Sequence, residues 1–154
     1  MKANYTENQN GNWMLIVLLV VGLIPTFGLL VVDELKDEEG IIIACTSVGL
    51  MMLAGILFFK LKTEVFEDRI KLSFGIGPIQ KKIQLSKIKD VRVVRNKWIY
   101  GWGIRHYGKG WLWNISGLDA IEISFNDRKS LFRIGSQDPQ KLKESIEKLI
   151  IMND

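Results

Sequence analysis

The residues best suited to bind a ligand lie between positions 96 and 110. This segment holds four glycines among several aromatic and basic side chains. A guanidinium beside glycines can present two parallel N–H donors to a phosphate, and tryptophan beside lysine suits the boundary between lipid and water. Five residues are therefore candidates for binding a ligand or a lipid headgroup: Lys97, Trp98, Trp102, Arg105 and Lys109. The alternative is that the aromatic rings pack against the domain and the glycines only form turns.

The sequence contains no evident constellation of residues for catalysis or metal binding. His106 is the only histidine, and Cys45, the only cysteine, lies inside an apolar run. Ser116 and Ser136 have no evident base. The glycine-rich turn at residues 75–78 is not followed by a helical pattern, so it does not match a dinucleotide-binding loop. We predict no catalytic residue, no metal site and no cofactor, and we expect that the protein is not an enzyme.

A basic stretch covers residues 81–97 and contains seven Lys or Arg side chains against one acid, Asp90. Near an anionic leaflet, each such side chain contributes about 1 kcal/mol of attraction. The same charges also suit a solvated outer face, and this alternative stays open. No recognition helix or stacking motif accompanies the charge, so nucleic acid is not an expected partner.

Two apolar runs precede these features and decide where they lie. Residues 13–32 and 40–59 each contain twenty positions without a charge. As helices they would span about 30 Å, the thickness of the hydrocarbon layer of a bilayer. A cleaved signal peptide is the alternative for the first run, but the run is long for one and ends without a small-x-small cleavage site. We predict two transmembrane helices, joined by a short acidic external loop at residues 33–39.

The charge distribution orients this hairpin. Residues 60–154 carry 19 Lys or Arg and 11 Asp or Glu, a net charge of +8, whereas residues 33–39 carry five acids and one Lys. Basic residues near helix ends are retained on the cytoplasmic side. The sequence therefore predicts a multi-pass protein of the inner (plasma) membrane with both termini in the cytoplasm. In this prediction residues 1–12 form a short cytoplasmic tail, and residues 60–154 form a cytoplasmic domain.

The residues after the second run alternate polar and apolar side chains with the period of half-buried strands. Turn residues divide this pattern into seven strands, at residues 62–67, 69–75, 79–85, 88–95, 111–116, 120–126 and 130–135. The last segment changes to helical spacing and has one apolar stripe, formed by Leu142, Ile146, Leu149 and Ile150. Asp138, followed by proline, supplies the N-cap of that helix.

Seven short strands and a terminal amphipathic helix, placed after two membrane helices, resemble the bacterial pleckstrin-homology-like domain proteins. The resemblance covers residues 60–154. Its clearest stretches are Ile83-Gln84-Leu85-Ser86-Lys87-Ile88-Lys89-Asp90-Val91, Gly101-Trp102-Gly103-Ile104-Arg105, Gly110-Trp111-Leu112-Trp113-Asn114-Ile115-Ser116-Gly117 and Ile134-Gly135-Ser136-Gln137-Asp138-Pro139. The resemblance implies an α+β membrane protein in which a two-helix transmembrane hairpin precedes a seven-stranded antiparallel barrel or sandwich, capped by the C-terminal helix. It implies no single ligand.

These observations favour a non-catalytic, membrane-anchored module that binds a protein partner or associates with itself. The expected partners are membrane lipids and either another protein or a second copy of the chain. Two alternatives stay open. One is a sensor that binds anionic lipid headgroups, and the other is a small accessory subunit of a membrane transport complex.

Overall fold

The part of the chain that the structure describes contains nine strands, three α-helices and two single-turn 3-10 helices, at Leu85–Lys87 and Trp98–Tyr100. The structure is a computed structural model and describes residues 2–32 and 37–153. The helices are α1 (Asn12–Val31), α2 (Glu38–Phe58) and α3 (Pro139–Asn153). The strands are β1 (Tyr5–Asn10), β2 (Lys60–Val65), β3 (Arg69–Phe74), β4 (Ile79–Gln84), β5 (Ile88–Arg95), β6 (Gly103–His106), β7 (Gly110–Asn114), β8 (Asp119–Phe125) and β9 (Leu131–Gly135). Most of the predicted acidic loop, residues 33–36, lies outside the described residues.

Helices α1 and α2 lie side by side and run antiparallel. A Cβ atom on Gly22 of α1 would lie 3.5 Å from the Met51 side chain of α2. A Cβ atom on Gly55, near the end of α2, would lie 3.4 Å from Leu15 and 3.9 Å from Leu18, near the start of α1. Glycines at these positions allow the two helices to approach closely.

Helix α2 begins two residues before the apolar run, because acidic residues stabilise its first turn. The Asp37 carboxylate accepts a hydrogen bond from the Gly40 amide at 2.8 Å and so caps the helix, and Glu38 and Glu39 lie where the helix dipole favours negative charge. Among the described residues, α2 is the one helix whose length and apolar composition suffice to cross a membrane. Helix α1 is also an apolar helix, over Asn12–Gly28 within the described residues.

The strands form two sheets that pack face to face. Strands β1-β2-β3-β4 form a four-stranded antiparallel sheet, and β5-β8-β9-β7-β6 form a five-stranded sheet. In the second sheet β7 runs parallel to β9, and the other pairs are antiparallel. We call the two sheets together with α3 the β domain.

All seven predicted strands are present, with ends that differ by at most two residues, but the predicted number and the wholly antiparallel arrangement are wrong. Strand β1 lies in the segment predicted as a free tail, and β6 lies inside the segment 96–110. Strand β1 pairs with β2 through its backbone and is polar apart from Tyr5, which packs against the core, so it carries no hydrophobic alternation. Strand β6 has four residues and begins at a glycine, which is too short for a period to be recognised.

The core of the β domain lies between the sheets and under α3. It contains apolar side chains from both sheets and from the predicted helical stripe. Leu142 and Ile146 are fully buried and Leu149 is 8% exposed, so the predicted docking face of α3 is confirmed. The Asp138 carboxylate accepts a hydrogen bond from the Lys141 amide at 3.1 Å, as expected for the N-cap of this helix.

Candidate functional site

Both N-terminal helices join the β domain at the same end. Strand β1, before α1, pairs with β2, after α2, so that Asn10 lies opposite Lys60. Where the chain leaves the sheet, the Gly11 amide donates a hydrogen bond to the Phe59 carbonyl at 2.7 Å. The helix pair is therefore inserted between two neighbouring strands of one sheet. We call this part of the molecule the helix end of the β domain.

The turn between β3 and β4 packs against the last turn of α2. The Gly75 amide donates a hydrogen bond to the Lys60 carbonyl at 2.8 Å. A Cβ atom on Gly75 would lie 2.3 Å from the carbonyl oxygen of Ile56 and 2.5 Å from that of Leu57. Gly75 also has a φ of +54°, a conformation that suits glycine. Only glycine allows this turn to touch the backbone of α2.

The first turn of α1 is held by an aromatic contact. The Trp13 indole Nε1 donates a hydrogen bond to the Ile115 carbonyl, just after β7, at 3.0 Å. The Trp13 ring packs on the Trp102 ring with centroids 4.4 Å apart. Trp13 is not among the five residues predicted from the sequence, although a tryptophan at the first position of an apolar run is typical of a residue at a membrane surface.

The outer surface of the helix pair is apolar and exposed. Side chains that are between 63% and 66% exposed include Ile16, Ile24, Phe27, Ile42, Ile43 and Met52. A groove of about 520 Å³ runs along the pair, and Leu19, Leu23 and Met51 are among its apolar lining residues. Such a continuous apolar surface is not typical of a soluble monomer and marks a surface that contacts lipid or protein.

Four of the five candidate binding residues lie toward the helix end. Lys97 and Trp98 are exposed on the connection that follows β5, and Trp98 is 76% exposed. Trp102 is half-buried against Trp13, and its buried Nε1 has no hydrogen-bond partner among the described residues. Arg105 is exposed and its Nε donates a hydrogen bond to the Trp102 carbonyl at 3.0 Å.

The fifth candidate, Lys109, lies at the other end of β6. Gly103, at the start of β6, pairs with Asn114, next to the Ile115 carbonyl that binds Trp13, whereas His106 pairs with Trp111. At about 3.3 Å per residue, the far end of the strand is about 10 Å from the Gly103 level. Lys109 lies in the turn beyond His106. The structure thus does not bring all five residues together.

The tyrosines of the segment 96–110 pack against the domain. The Tyr107 hydroxyl donates a hydrogen bond to the Glu122 carboxylate at 3.2 Å, and Arg133 Nε donates to the same oxygen at 2.8 Å. The Arg133 guanidinium also lies 4.4 Å from the Tyr107 ring centroid, and the Tyr100 ring packs on Tyr107. Asn96 accepts a further hydrogen bond from Arg133 at 3.0 Å. For these tyrosines the packing alternative is correct.

Burial has a consequence for the acid–base behaviour of this cluster. It raises the pKa of the Tyr107 phenol to about 12, with a further contribution from the negative charge of Glu122. The Tyr107 hydroxyl is therefore neutral at physiological pH and acts as a hydrogen-bond donor, which stabilises the position of Glu122.

The basic stretch 81–97 is partly neutralised by neighbouring acids. Lys87 lies 3.3 Å from Asp127, and Arg92 lies 2.6 Å from Asp90. Lys81, Lys82, Lys89 and Lys97 have no ion-pair partner in the part of the chain that the structure describes. In that same part, no three His, Cys, Asp or Glu side chains are grouped as metal ligands would be.

Comparison of the chain with protein-family models, with curated proteins and with solved structures gave no match. The geometry of the helix end and of the β domain is therefore the basis for assigning a function.

Proposed function

We propose that this protein is a non-catalytic interaction module anchored in the bacterial inner membrane by α1 and α2. In this proposal both helices cross the membrane, and a pleckstrin-homology-like β domain lies on the cytoplasmic face. The β domain binds a protein partner or a second copy of the chain. The basic residues that closely follow α2, which are Lys60, Lys62, Arg69 and Lys71, against the single Lys36 between the helices, support this orientation.

The observation that carries the proposal is the pairing of β1 with β2. Because these strands flank the helix pair in sequence and lie together in one sheet, the helices leave the domain without a flexible linker. Trp13 and Gly75 add contacts on either side of this junction. Such an attachment holds the β domain at a constant height and orientation over the membrane. That suits a module that presents one surface to a partner in the same membrane.

The exposed side chains of α1 and α2 support their insertion into lipid. Each square ångström of apolar surface left in water costs about 25 cal/mol relative to burial. The 21 residues of α2 span about 30 Å as a helix, which matches the hydrocarbon layer. Because β1 and β2 pair, α2 returns the chain to the side from which α1 leaves it.

The orientation is tested by labelling single cysteines in a Cys45→Ser background. Ser86→Cys, in the turn after β4, should react with a membrane-impermeant maleimide in inverted vesicles but not in intact cells. Glu39→Cys, at the start of α2, should show the opposite pattern. Labelling of Ser86→Cys from outside intact cells would contradict the proposed orientation.

The interaction itself is tested by the stoichiometry of the full chain in membranes. The chain, labelled with one fluorophore and reconstituted at high lipid dilution, should show two or more bleaching steps per particle if it associates with itself. If it binds another protein, that protein should be extracted with it from native membranes in constant ratio. A single bleaching step, together with extraction as a lone monomer, would contradict the proposal.

A second candidate function, binding of anionic lipid headgroups, is favoured by the position of Arg105. This exposed guanidinium is held near the helix end by its hydrogen bond to the Trp102 carbonyl. Native mass spectrometry of the chain in detergent should then show bound phosphatidylglycerol in preference to phosphatidylcholine. Arg105→Ala should reduce this retention, and Lys109→Ala, which removes a charge at the far end of β6, should not. Equal retention by both variants would remove this candidate.

A further inference from the structure

The two sheets do not close against each other along one side, and the gap is a cleft of about 390 Å³. Strand β4 is the edge of the four-stranded sheet, and β6 is the edge of the five-stranded sheet. The cleft is lined by residues of both edge strands, including Lys81 of β4 and His106 of β6. It is separate from the groove along the helix pair, which no residue of these two strands lines.

Lys81 and His106 lie on the inner faces of their strands. Lys81 pairs with Leu72, which is fully buried in the core, so the two side chains share the inner face of the sheet. His106 pairs with Trp111, two residues before the buried Trp113 on the same face. Inner-face positions are normally apolar, as Ile83 of β4 is. Basic side chains occupy two such positions on opposite sides of the opening.

A third basic side chain reaches the cleft from the turn between β8 and β9. The Arg128 guanidinium lies 3.8 Å from the centroid of the Phe125 ring and also lines the cleft. Arg128 Nε forms an ion pair with Asp127 at 4.0 Å, and within the part of the chain that the structure describes no carboxylate lines the cleft. Lys81 has no ion-pair partner in residues 2–32 and 37–153. Three elements therefore bring positive or protonatable groups to one opening, and the one ion pair that these groups form among the described residues joins the exposed side chains of Arg128 and Asp127.

The floor of the cleft is aromatic. Trp113 is 7% exposed and Phe125 and Phe132 are each 5% exposed, whereas Trp111 is 50% exposed at the opening. A cavity of this kind, largely apolar with a few convergent polar groups, is typical of small-molecule sites. The rings offer a surface for a flat or short apolar group, and the basic side chains offer partners for an anion.

We propose that this cleft binds a small organic anion in which a carboxylate or phosphate is joined to a flat or short apolar group. The anion is bound by Lys81 and Arg128, with His106 as an additional donor, and the apolar group lies against Trp111 and the buried rings. The His106 Nδ1 lies 3.4 Å from the Gly108 amide, which leaves Nε2 as the ring nitrogen available to the ligand. This site goes beyond the interaction module proposed above and does not depend on it.

The test is binding to the full chain in detergent, measured by calorimetry with phenyl phosphate, benzoate and hexanoate. At least one of these anions should bind at least tenfold more tightly than its uncharged counterpart, benzyl alcohol or hexanol, and more tightly than inorganic phosphate. Lys81→Gln should weaken that binding at least tenfold. The matched control is Lys82→Gln, which removes the neighbouring charge on the same strand and should change the affinity less than twofold.

Several results would overturn the proposal. One is that none of the three anions binds better than its uncharged counterpart. Another is that Lys82→Gln weakens binding as much as Lys81→Gln, which would indicate general attraction of anions to a basic surface. A third is that Lys81→Gln leaves binding unchanged but makes the chain aggregate. This result would mean that Lys81 serves only to prevent edge-to-edge pairing of β4, as inward charges on edge strands do in other proteins.

The source of the anion is identified by competition. Dihexanoyl phosphatidic acid carries a lipid phosphate in a soluble form, and it is added against the bound aryl or acyl anion. Displacement at similar concentration supports the site and identifies lipid-derived anions as ligands. Absence of displacement, with binding of the free anion intact, supports the site and identifies a water-soluble metabolite as its ligand class.

Discussion

The helix pair and the β domain are built from the same apolar residue types but expose them in opposite ways. Ile16, Ile24 and Phe27 of α1 are at least 64% exposed, whereas Ile121, Ile134 and Phe74 of the β domain are fully buried. The core side chains of the domain are thus covered by the domain itself, whereas the outer side chains of the helix pair are not covered by any described residue. Composition alone cannot separate these two cases. The period of the pattern does, because the helix pair has no polar face and the strands have one.

The two regions also differ in how they depend on each other. The domain has its own core and its capping helix, while the helix pair is attached through a junction of few contacts. If this division is correct, substitutions in the core should unfold the domain without releasing the helices from the membrane. Substitutions at the junction should weaken both the domain and its attachment.

The largest effect is expected from Ile146→Asp, in the buried stripe of α3. The side chain is fully buried, so a carboxylate there has no partner and should cost about 4 kcal/mol or more of unfolding free energy. Denaturant titration of the full chain in detergent, followed by tryptophan fluorescence, measures this loss. Resistance to extraction from membranes by alkaline carbonate should not change. The control is Ile151→Asp, at a position 75% exposed, with a loss below about 0.5 kcal/mol. If the unfolding curve of Ile146→Asp is the same as that of the parent protein, α3 does not dock on the sheets.

A smaller loss, about 3 kcal/mol, is expected from Gly75→Ala at the junction, because its Cβ would overlap two backbone carbonyls of α2 and adopt a positive φ. Gly77→Ala is the matched control in the same turn. Gly77 also has a positive φ, +105°, but its Cβ would meet only the Gln80 side chain, at 3.7 Å. The control therefore carries the backbone strain without the overlap, and the same denaturant titration should show a smaller loss for it. Equal losses would mean that the turn does not press against α2.

The sequence predicts the strongly periodic elements of this molecule and misses those held by polar contacts. The stripe of α3 and the seven alternating strands follow from burial, which imposes a period on the residues. Strand β1 is held by backbone pairing and by Gln9 and Glu7, so two of its inward positions are polar and its sequence shows no alternation of hydrophobicity. Glu38 and Glu39 were predicted to lie in the loop between the helices, but they form the first turn of α2, where the helix dipole favours negative charge.

The sequence indicates which residue types the segment 96–110 offers, but not how the structure distributes them. The segment 96–110 does contain exposed basic and aromatic residues toward the helix end. Tyr107 packs against the domain, unlike the exposed residues of the segment, because its hydroxyl binds Glu122 of β8, which also binds Arg133 of β9. The alternation of the sequence already places Lys81 on one face with Ile79 and Ile83, and the pairing with Leu72 agrees with this. The position of β4 at the edge of its sheet, and the contacts of Tyr107, are not visible without the order of strands in the sheets.

Gln9→Ala tests whether the segment before the helices belongs to the domain. Gln9 is 2% exposed; its Oε1 accepts a hydrogen bond from the Ile115 amide at 2.8 Å, and its Nε2 donates to the Ser116 carbonyl at 2.6 Å. Removal of the side chain leaves a buried amide unpaired and should cost about 2 kcal/mol. Asn8→Ala, on the exposed face of the same strand, should cost less than about 0.5 kcal/mol. If the two variants unfold alike, β1 contributes nothing beyond its backbone pairing.

The smallest effect, about 1 kcal/mol near pH 8, is expected from Tyr107→Phe, since Glu122 keeps its bond to Arg133 when the phenol donor is lost. The sign of the pH dependence follows from the pKa of Tyr107, which the folded state raises from 10.0 to about 12. The folded domain favours the protonated phenol, so its contribution to stability is complete below pH 10 and is lost as the pH rises toward 12. The unfolding midpoints of the parent and of Tyr107→Phe should therefore converge between these pH values. A constant difference from pH 8 to pH 11.5 would mean that the Tyr107 hydroxyl is solvated and that this face of the domain is open, like the surface of the helix pair.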